Sequence, residues 1–475
     1  MNFTVSRRTF AAGAALLPMA CTSAGRSVMG PASAVAAVPG PVNPLVKNRA
    51  DAQVFLNDDG YYYMTGSVPE YDRLVLRRAK TIAGLATAEE RVLWRHEESG
   101  PLSGFIWAPE MSRIDGKWYV HFAAGPSGGG EDVFRIRTYA VACDGPDPMT
   151  GNWTTLGEFK APWDSFNLDS KVFIHRGIRY FTWAQREPGI ETNSNLYIAK
   201  MTGPLTVGPA TRLSVPTLDW EIRGFKVNEG AAVIENAGKL FMTYSASATD
   251  DRYCLGLLSI DAEADLLDAA NWTKSQVPVF QTCIETSVYG PGHNDFTVDE
   301  QGRPMLVYHG RDYKEIEGDP LFNPDRHTRV QRLYFAADGT PDFGVPVGNG
   351  PLPERYYSPA TGGAFLAHEG DKLVCGSLPL PQTQIRAWPM EDGSVRLSPI
   401  LTRDKCIVAG ADGALGLAPL TEAGLAGGAD RFRRVAVRGG VRIESVSRPG
   451  MAIAATGAVP GLVSSSDPRC IWATD

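Results

Sequence analysis

The feature that most constrains how this chain folds is a β-hairpin pattern that occurs five times at nearly constant spacing. In each copy a short strand segment leads into a glycine-containing turn, and a run of β-branched and aromatic residues follows. The turn glycines, which lie 56, 61, 61 and 64 residues apart, are Gly60, Gly116, Gly177, Gly238 and Gly302. Two further strand patterns follow each hairpin. Five units of four strands predict an all-β fold in which residues 43–350 form a five-bladed β-propeller.

The composition agrees with a fold that has many tight turns. The 475 residues include 50 Gly and 34 Pro, two residue types that commonly form turns. The outer strands are the least regular part of the pattern. A fourth strand is predicted at 276–279 in the fourth unit and at 345–347 in the fifth, and the third strand of the fifth unit is predicted at 332–336. A pair of β-sandwiches is the alternative fold, but it gives no reason for a fivefold spacing.

A second, shorter periodicity begins after residue 351. Its turn glycines, Gly370, Gly413 and Gly457, lie 43 and 44 residues apart. Three short β units at this spacing predict a smaller β-trefoil-like domain over residues 359–475.

The N-terminus has the pattern of a targeting signal. Arg7 and Arg8 precede an apolar stretch at 11–20, and residues 1–36 contain no acidic residue. This order is typical of a twin-arginine export signal, so we interpret residues 1–36 as an export signal and linker. Cleavage near 34–36 would place the mature protein outside the cell or in the periplasm. Attachment of a lipid at Cys21 is the alternative.

Charge and motif content exclude several classes of partner. The net charge of −7 disfavours nucleic acid, because generic polyanion binders are basic. No run of 18 apolar residues is present, so no membrane span is expected. The six cysteines beyond Cys21 permit disulfides in an exported protein, but no CxxC pair indicates a zinc site.

The propeller pattern also predicts where the chemistry lies. The first strand of each blade lines the central channel and all five run in the same direction, so the residues that open these strands should meet at one mouth. They are Asp51, Glu110, Asp169, Glu229 and the group His293, Asn294 and Asp295. Carboxylates that share a cavity repel one another, and this repulsion raises the pKa of at least one of them. Hydrolysis of an acetal needs one protonated carboxylic acid and one carboxylate, and no motif of nucleophilic, metal-dependent or nucleotide chemistry is present.

Aromatic residues near these positions are candidates for stacking on a sugar. We expect Trp107 and Trp183 to contact the substrate, and the alternative is that they belong to the core of their blades. Glu110, within Trp-Ala-Pro-Glu, is interpreted as structural.

Five segments, which together cover every blade, resemble glycoside hydrolase family 43. They are 48–51 with 60–63 and 67–72, 106–110, 167–169, 227–230, and 290–294 with 308–311. One departure is Ala52, where the family commonly has proline after the base aspartate.

The resemblance implies a role for each of several residues. Asp51 would be the general base, Glu229 the general acid, and Asp169 the residue that tunes the pKa of the acid and orients it. The family inverts configuration, which places base and acid roughly 6.5–9.5 Å apart. His293 would lie below the substrate and help to hold a central calcium ion or a water-filled site, and the alternative is a hydrogen-bonded channel histidine without a metal. Arg311 would bind a sugar hydroxyl, and the alternative is an outer ion pair. Catalysis would require no cofactor, and the calcium would be structural.

The resemblance also implies a substrate. Segment 67–72 and the C-terminal domain look like exo-acting arabinofuranosidases that trim 1,5-linked arabinan. We therefore expect a secreted, monomeric, inverting enzyme that releases L-arabinofuranose from α-linked arabinan or arabino-oligosaccharides of plant type. A β-xylosidase of the same family and a non-catalytic sugar-binding propeller are the alternatives.

The C-terminal domain resembles the arabinofuranose-binding trefoils of carbohydrate-binding family 42 at 430–437 and 443–450. His368 is the one pocket residue that matches, while the other two repeats have Ala411 and Ala455. Sugar binding and a purely structural role both stay open for this domain.

Overall fold

A computed structural model describes residues 40–127, 132–410, 412–421 and 427–475. The predicted export signal, Cys21 and Ala411 lie outside these ranges. Within them the regular structure is almost entirely strand, numbered β1 to β36, with one short helix, α1, at Leu380–Thr383. Single 3₁₀ turns occur at Ala83–Ala86, Asp132–Arg135, Ala269–Asn271, Pro320–Phe322, Pro359–Thr361 and Pro468–Cys470. Among the described residues no helix is long and apolar enough to cross a bilayer.

Five antiparallel sheets follow one another along the chain and form the five blades of the predicted propeller. After β1 (Val42–Asn43), blade 1 contains β2 (Ala50–Leu56), β3 (Tyr62–Ser67), β4 (Arg73–Ala79) and β5 (Glu90–Arg95). Blade 2 contains β6 (Gly104–Ile114), β7 (Lys117–Gly125), β8 (Arg137–Cys143) and β9 (Trp153–Glu158). Blade 3 contains β10 (Asn167–His175), β11 (Ile178–Gln185), β12 (Asn195–Gly203), β13 (Thr206–Val207) and β14 (Thr211–Ser214). Blade 4 contains β15 (Asn228–Asn236), β16 (Lys239–Ala246), β17 (Cys254–Asp261) and β18 (Thr273–Lys274). Blade 5 contains β19 (Tyr289–Val298), β20 (Pro304–Arg311) and β21 (His327–Arg332).

The outer strands of the last two blades differ from the sequence prediction. The third strand of blade 5 is β21, which ends where the predicted strand at 332–336 begins. Residues 345–347 form no strand, and the fourth strand of blade 4 is β18 rather than 276–279. Pro346 and Pro278 interrupt the two predicted segments, because proline has no N–H to donate to a neighbouring strand.

The N-terminal segment takes the outer position in blade 5 and closes the ring. The N–H of Leu45 donates to the carbonyl oxygen of Thr328 (2.8 Å), and the N–H of Thr328 donates to the carbonyl oxygen of Val46 (2.9 Å). The Asn43 side chain continues this pairing, since it donates to the Val330 carbonyl (2.8 Å) and accepts from the Val330 N–H (2.9 Å). The two ends of the propeller are therefore held together by hydrogen bonds between residues far apart in sequence.

Every inner strand contains a β-bulge at the same position. The register with the second strand shifts there, and the residue at the bulge has a positive φ in all five blades. These residues are Asp51 (φ 52°), Ala108 (43°), Asp169 (53°), Gly230 (58°) and His293 (42°). A bulge re-aims the side chains beside it, and positive φ is uncommon for residues other than glycine. The bulges therefore determine which side chains face the channel mouth.

The blades pack through the faces of their sheets. Blades 1 and 2 share a core around Trp118, blades 3 and 4 share one around Met242, and blades 4 and 5 share one around Leu306. A further core around Val330 joins blade 5 back to blade 1. These apolar contacts surround the channel and hold its polar residues on rigid strands.

After β22 (Tyr334–Phe335), β23 (Pro341–Asp342) and β24 (Gly350–Pro351), which pairs with β1, the chain forms twelve more strands. They are β25 (Glu354–Ser358), β26 (Ala364–Glu369), β27 (Lys372–Gly376), β28 (Gln384–Pro389), β29 (Val395–Pro399), β30 (Lys405–Ala409), β31 (Leu415–Pro419), β32 (Phe432–Val437), β33 (Gly440–Ser445), β34 (Met451–Ala455), β35 (Pro460–Ser464) and β36 (Ile471–Thr474). Six of them pair in a closed ring, β25-β28-β29-β32-β33-β36, and the other six form three hairpins, β26-β27, β30-β31 and β34-β35. The ring encloses its own apolar core around Trp472.

The two parts of the chain contact each other directly. The Arg386 guanidinium donates to the carbonyl oxygens of Gly348 and Asn349, both at 2.6 Å, and the Trp388 ring packs on Gly350. The cysteines at 143, 254, 283, 375, 406 and 470 are all free thiols.

Candidate active site

A pocket of about 290 Å³ opens at the channel mouth where the five bulges meet. Five of the predicted site residues line it together, namely Asp51, Trp107, Asp169, Glu229 and His293. Its walls are largely apolar, with contributions from Trp107, Val133, Phe134, Phe166, Leu168, Phe225, Val227 and Leu321. The structure thus brings three carboxyl groups and one imidazole into a cavity of the size that binds a small molecule.

Asp51 is held in its ionised form. Burial by itself would raise the pKa of this carboxyl, but the positive Arg326 guanidinium, aided by His293 and His309, holds the pKa well below its usual value. Arg326 Nη1 donates to Asp51 Oδ1 (3.2 Å), and Ser67 Oγ donates to Asp51 Oδ2 (2.7 Å). His309 Nδ1 lies 3.2 Å from Oδ1. Each carboxylate oxygen of Asp51 therefore has a fixed partner.

Glu229 is in the opposite state. Burial raises the pKa of its carboxyl to about 7, the Asp51 charge acts in the same direction, and a hydrogen bond from Tyr253 opposes both. The Tyr253 hydroxyl donates to Glu229 Oε1 (2.8 Å), and its ring stacks on the His309 imidazole at a centroid distance of 5.6 Å. Near neutral pH, Glu229 therefore retains a proton in much of the population while Asp51 has lost its own.

Asp169 and His293 lie beside these groups in the pocket. Burial and the nearby charges of Glu229 and Asp51 raise the pKa of Asp169 well above its usual value. His293 Nδ1 lies 3.5 Å from Asp51 Oδ1 and 3.6 Å from Asp169 Oδ2. Burial lowers the pKa of His293, so the imidazole is neutral near pH 7.

Two of the predicted side chains do not reach the pocket, so the expectation that they contact a sugar is wrong. Trp183 is fully buried in the core of blade 3, and its indole N–H donates to Gln185 Oε1 (2.7 Å). Arg311 is 1% exposed and donates to the Thr249 and Pro320 carbonyls, at 2.5 and 2.8 Å. Arg311 therefore holds two loops at the pocket rim and is not free to bind a sugar hydroxyl.

Trp107 does line the pocket, packed edge-on against Tyr71 at a centroid distance of 5.4 Å. Its buried indole N–H has no hydrogen-bond partner among the described residues.

The structure adds two side chains that lie outside every segment singled out in the sequence. Arg326 contacts Asp51, from which it lies 275 residues away in sequence, and Tyr253 contacts Glu229. It also gives Ser67, the first residue of segment 67–72, a contact with Asp51. Glu110 and Asp295, in contrast, are not at the mouth as expected. They lie deeper in the channel, two residues beyond the bulge of their strands, where both contact Lys171.

Comparison with known proteins agrees with this site. The profile described as Glycosyl hydrolases family 43 matches residues 41–341. An extracellular exo-α-(1→5)-L-arabinofuranosidase of Streptomyces avermitilis is 55% identical over 318 residues, which are 66% of this chain and 66% of that relative. An α-L-arabinofuranosidase 43 of Humicola insolens is 48% identical over 355 residues, which are 73% of each chain.

A crystal structure of an α-L-arabinofuranosidase from Lactobacillus brevis superimposes with a TM-score of 0.64 at 47% identity, covering 66% of this chain and 99% of that one. The matching profile spans all five blades and well over half of the sequence. The chain therefore belongs to glycoside hydrolase family 43.

Proposed function

We propose that this protein is an exported, inverting α-L-arabinofuranosidase that releases L-arabinofuranose from the ends of α-1,5-linked arabinan and arabino-oligosaccharides. The observation that carries the proposal is the difference in protonation between two carboxyl groups in one pocket. Asp51 is ionised, whereas the pKa of Glu229 is raised to about 7. Glycoside hydrolysis with inversion needs one carboxylate and one carboxylic acid in the same site. The names of the relatives support the choice of sugar and of an exo-acting enzyme.

In the proposed reaction Asp51 is the general base. It accepts a proton from a water molecule that attacks the anomeric carbon. Glu229 gives its proton to the leaving glycosidic oxygen, so the bond to carbon breaks without forming an alkoxide. Asp51 ends protonated and Glu229 ionised, and exchange of one proton with solvent restores the starting state.

The surrounding residues keep these two groups in place. Ser67 and Arg326 fix both oxygens of Asp51, and Tyr253 fixes one oxygen of Glu229. The pKa of Asp169 is raised well above its usual value. While Asp169 is protonated, it adds no negative charge next to Glu229. A fixed base and acid lower the entropic cost of reaching the transition state.

We extend the proposal to the other parts of the chain. Residues 1–36 direct export by the twin-arginine route, and residues 43–350 are the catalytic propeller. The closed ring of six strands with three hairpins supports a β-trefoil over residues 359–475. Its first ring strand, β25 (Glu354–Ser358), extends this domain five residues further toward the N-terminus. His368, the one residue that matches the sugar pockets of such trefoils, is only 4% exposed. Binding of arabinofuranose by this domain is therefore a matter for a direct binding test.

The test compares leaving groups. We expect Glu229→Gln to lose about 10²- to 10⁴-fold in kcat/KM on arabinobiose, and much less on 4-nitrophenyl arabinofuranoside, whose leaving group needs little protonation. Asp51→Asn should lose activity on both substrates alike, because water activation does not depend on the leaving group. Glu235→Gln, on the same strand as Glu229 but outside the pocket, is the matched control.

Three results would refute the proposal or part of it. Absence of wild-type turnover on every aryl furanoside and pyranoside would leave a sugar-binding protein. Faster release from an aryl β-xyloside would indicate a xylosidase. Retention at the anomeric carbon of the first product, followed by proton NMR, would exclude Asp51 as the general base.

A further inference from the structure

The channel below the pocket contains a second layer of side chains, one from each blade. Each lies two residues beyond the bulge of its inner strand, which is about 6–7 Å further along the channel. The layer consists of Gln53, Glu110, Lys171, Ala232 and Asp295. One member is a cation, and two are carboxyl groups from other blades.

Lys171 lies between the two carboxyl groups. Lys171 Nζ donates to Glu110 Oε1 (3.2 Å) and Oε2 (3.1 Å), and to Asp295 Oδ1 (2.6 Å). The three residues are between 5% and 8% exposed. The contacts join blades 2, 3 and 5 across the channel, so this lysine links parts of the ring that share no strand pairing.

The ammonium keeps its charge in this position. Burial alone would lower the pKa of Lys171, but the charges of Asp295 and Glu110 and their hydrogen bonds raise it. A buried charge is tolerated when it is paired and hydrogen-bonded, and this ammonium donates to oxygens of both carboxyl groups. Burial raises the pKa of Glu110 to about 8 in spite of the ammonium, so Glu110 keeps a proton in much of the population near neutral pH. The channel therefore contains a fixed positive charge supplied by the chain itself.

The residues present do not fit the central calcium ion that the family resemblance implies. Calcium takes six to eight oxygen ligands at roughly 2.3–2.6 Å. In the channel, both Glu110 oxygens and Asp295 Oδ1 already accept from Lys171, and His293 Nδ1 is turned toward Asp51 and Asp169. Across the described ranges, no group of three or more His, Cys, Asp or Glu side chains is arranged to hold a metal.

We propose that the Lys171 ammonium is the resident cation of this channel, in the place of a metal ion, and that the protein binds no calcium there. The proposal does not rest on the substrate or on the reaction. It makes Lys171 a positioning residue that holds Glu110 and Asp295, and hence three blades, at the axis. Its loss leaves two facing carboxyl groups with no counter-ion, and such a pair attracts a cation from solution.

The first experiment uses the wild-type protein. After passage over a chelating resin, elemental analysis should find less than one tenth of a calcium ion per chain. The melting temperature should be the same, within about 1 °C, in EDTA and in 10 mM calcium chloride. Retention of one calcium per chain, or a fall of several degrees in EDTA, would overturn the proposal.

The second experiment uses Lys171→Met with a matched control. Lys274 Nζ also contacts a buried carboxylate, Glu221, and neither residue lines the pocket or belongs to the channel layer, so Lys274→Met removes a comparable ion pair. Both variants should melt at lower temperature. Calcium at 10 mM should raise the melting temperature of Lys171→Met alone, by about 3 °C or more, since binding to the native state stabilises it by mass action.

Two outcomes would contradict the proposal. One is a rise in melting temperature with calcium that wild type or Lys274→Met shows as well. The other is a melting temperature of Lys171→Met that calcium, magnesium and potassium all leave unchanged. If Lys171→Met does not fold, the metal content and chelator response of the wild type decide the question.

Discussion

The hydrogen bond from Tyr253 to Glu229 has a measurable consequence for the pH dependence of activity. The phenol donates to Glu229 Oε1 at 2.8 Å, and this bond stabilises the ionised carboxylate. Tyr253→Phe removes the bond but keeps the ring that stacks on His309. The pKa of Glu229 should therefore rise, because the bond that favoured the charged form is lost while burial and the Asp51 charge stay.

The size of the shift follows from the strength of such a bond. A hydrogen bond to a charged group contributes about 1.5–3 kcal/mol, and one pKa unit corresponds to about 1.4 kcal/mol. The pKa of Glu229, about 7 in the wild type, should move up by about one to two units. The acid is the protonated form, so the high-pH limb of kcat/KM should move to higher pH by the same amount. The low-pH limb, which Asp51 determines, should move little.

The assay is the pH profile of kcat/KM on arabinobiose, which reports the ionisations of the free enzyme. Tyr244→Phe is the matched control, because Tyr244 is also a buried tyrosine of blade 4 whose hydroxyl donates to a glutamate, Glu221 (2.8 Å), away from the pocket. Both variants should be less stable, but only Tyr253→Phe should shift the limb. An unchanged limb, or a shift to lower pH, would refute the reasoning.

The remaining predictions concern the base and the C-terminal domain. Arg326→Met removes the charge that holds the pKa of Asp51 low, so the low-pH limb of kcat/KM should move to higher pH. The high-pH limb should also move to higher pH, because the same charge lowers the pKa of Glu229. An unmoved low-pH limb would show that Arg326 does not set the state of the base. A chain that ends after residue 353, just before β25, should keep its activity on 4-nitrophenyl arabinofuranoside and lose affinity for arabinan in a pull-down assay. Unchanged affinity would indicate that the C-terminal domain binds no polysaccharide.

The fold could be predicted from the sequence because its strongest signals are local. Each blade repeats the same hairpin, and turn glycines and alternating apolar residues reflect backbone preferences that act over a few residues. The predicted outer strands were wrong where a segment has a strand-like pattern but another segment of the chain pairs with the sheet edge. Residues 345–347 alternate like a strand, yet the edge of blade 5 pairs with Leu45 and Val46, from the other end of the propeller.

The site could be predicted in part for the same reason. Asp51, Asp169 and His293 occupy the bulge position of their repeats, and Glu229 directly precedes it, so the fivefold repeat brings all four to one mouth. Trp183 shows the limit of this argument. It lies on a second strand whose side chains pack within blade 3, and a tryptophan in an apolar run gives no sign of which face it takes.

By itself the sequence determined the five-bladed architecture and the acidic residues at the channel mouth, since both follow from a repeat that can be counted along the chain. Only the tertiary structure decided the protonation of those acids and the content of the channel. The contacts responsible come from positions without a motif, such as Arg326 beside Asp51 and Lys171 between two carboxyl groups. A pKa depends on burial and on charges brought near by folding, and neither quantity is encoded in a local pattern.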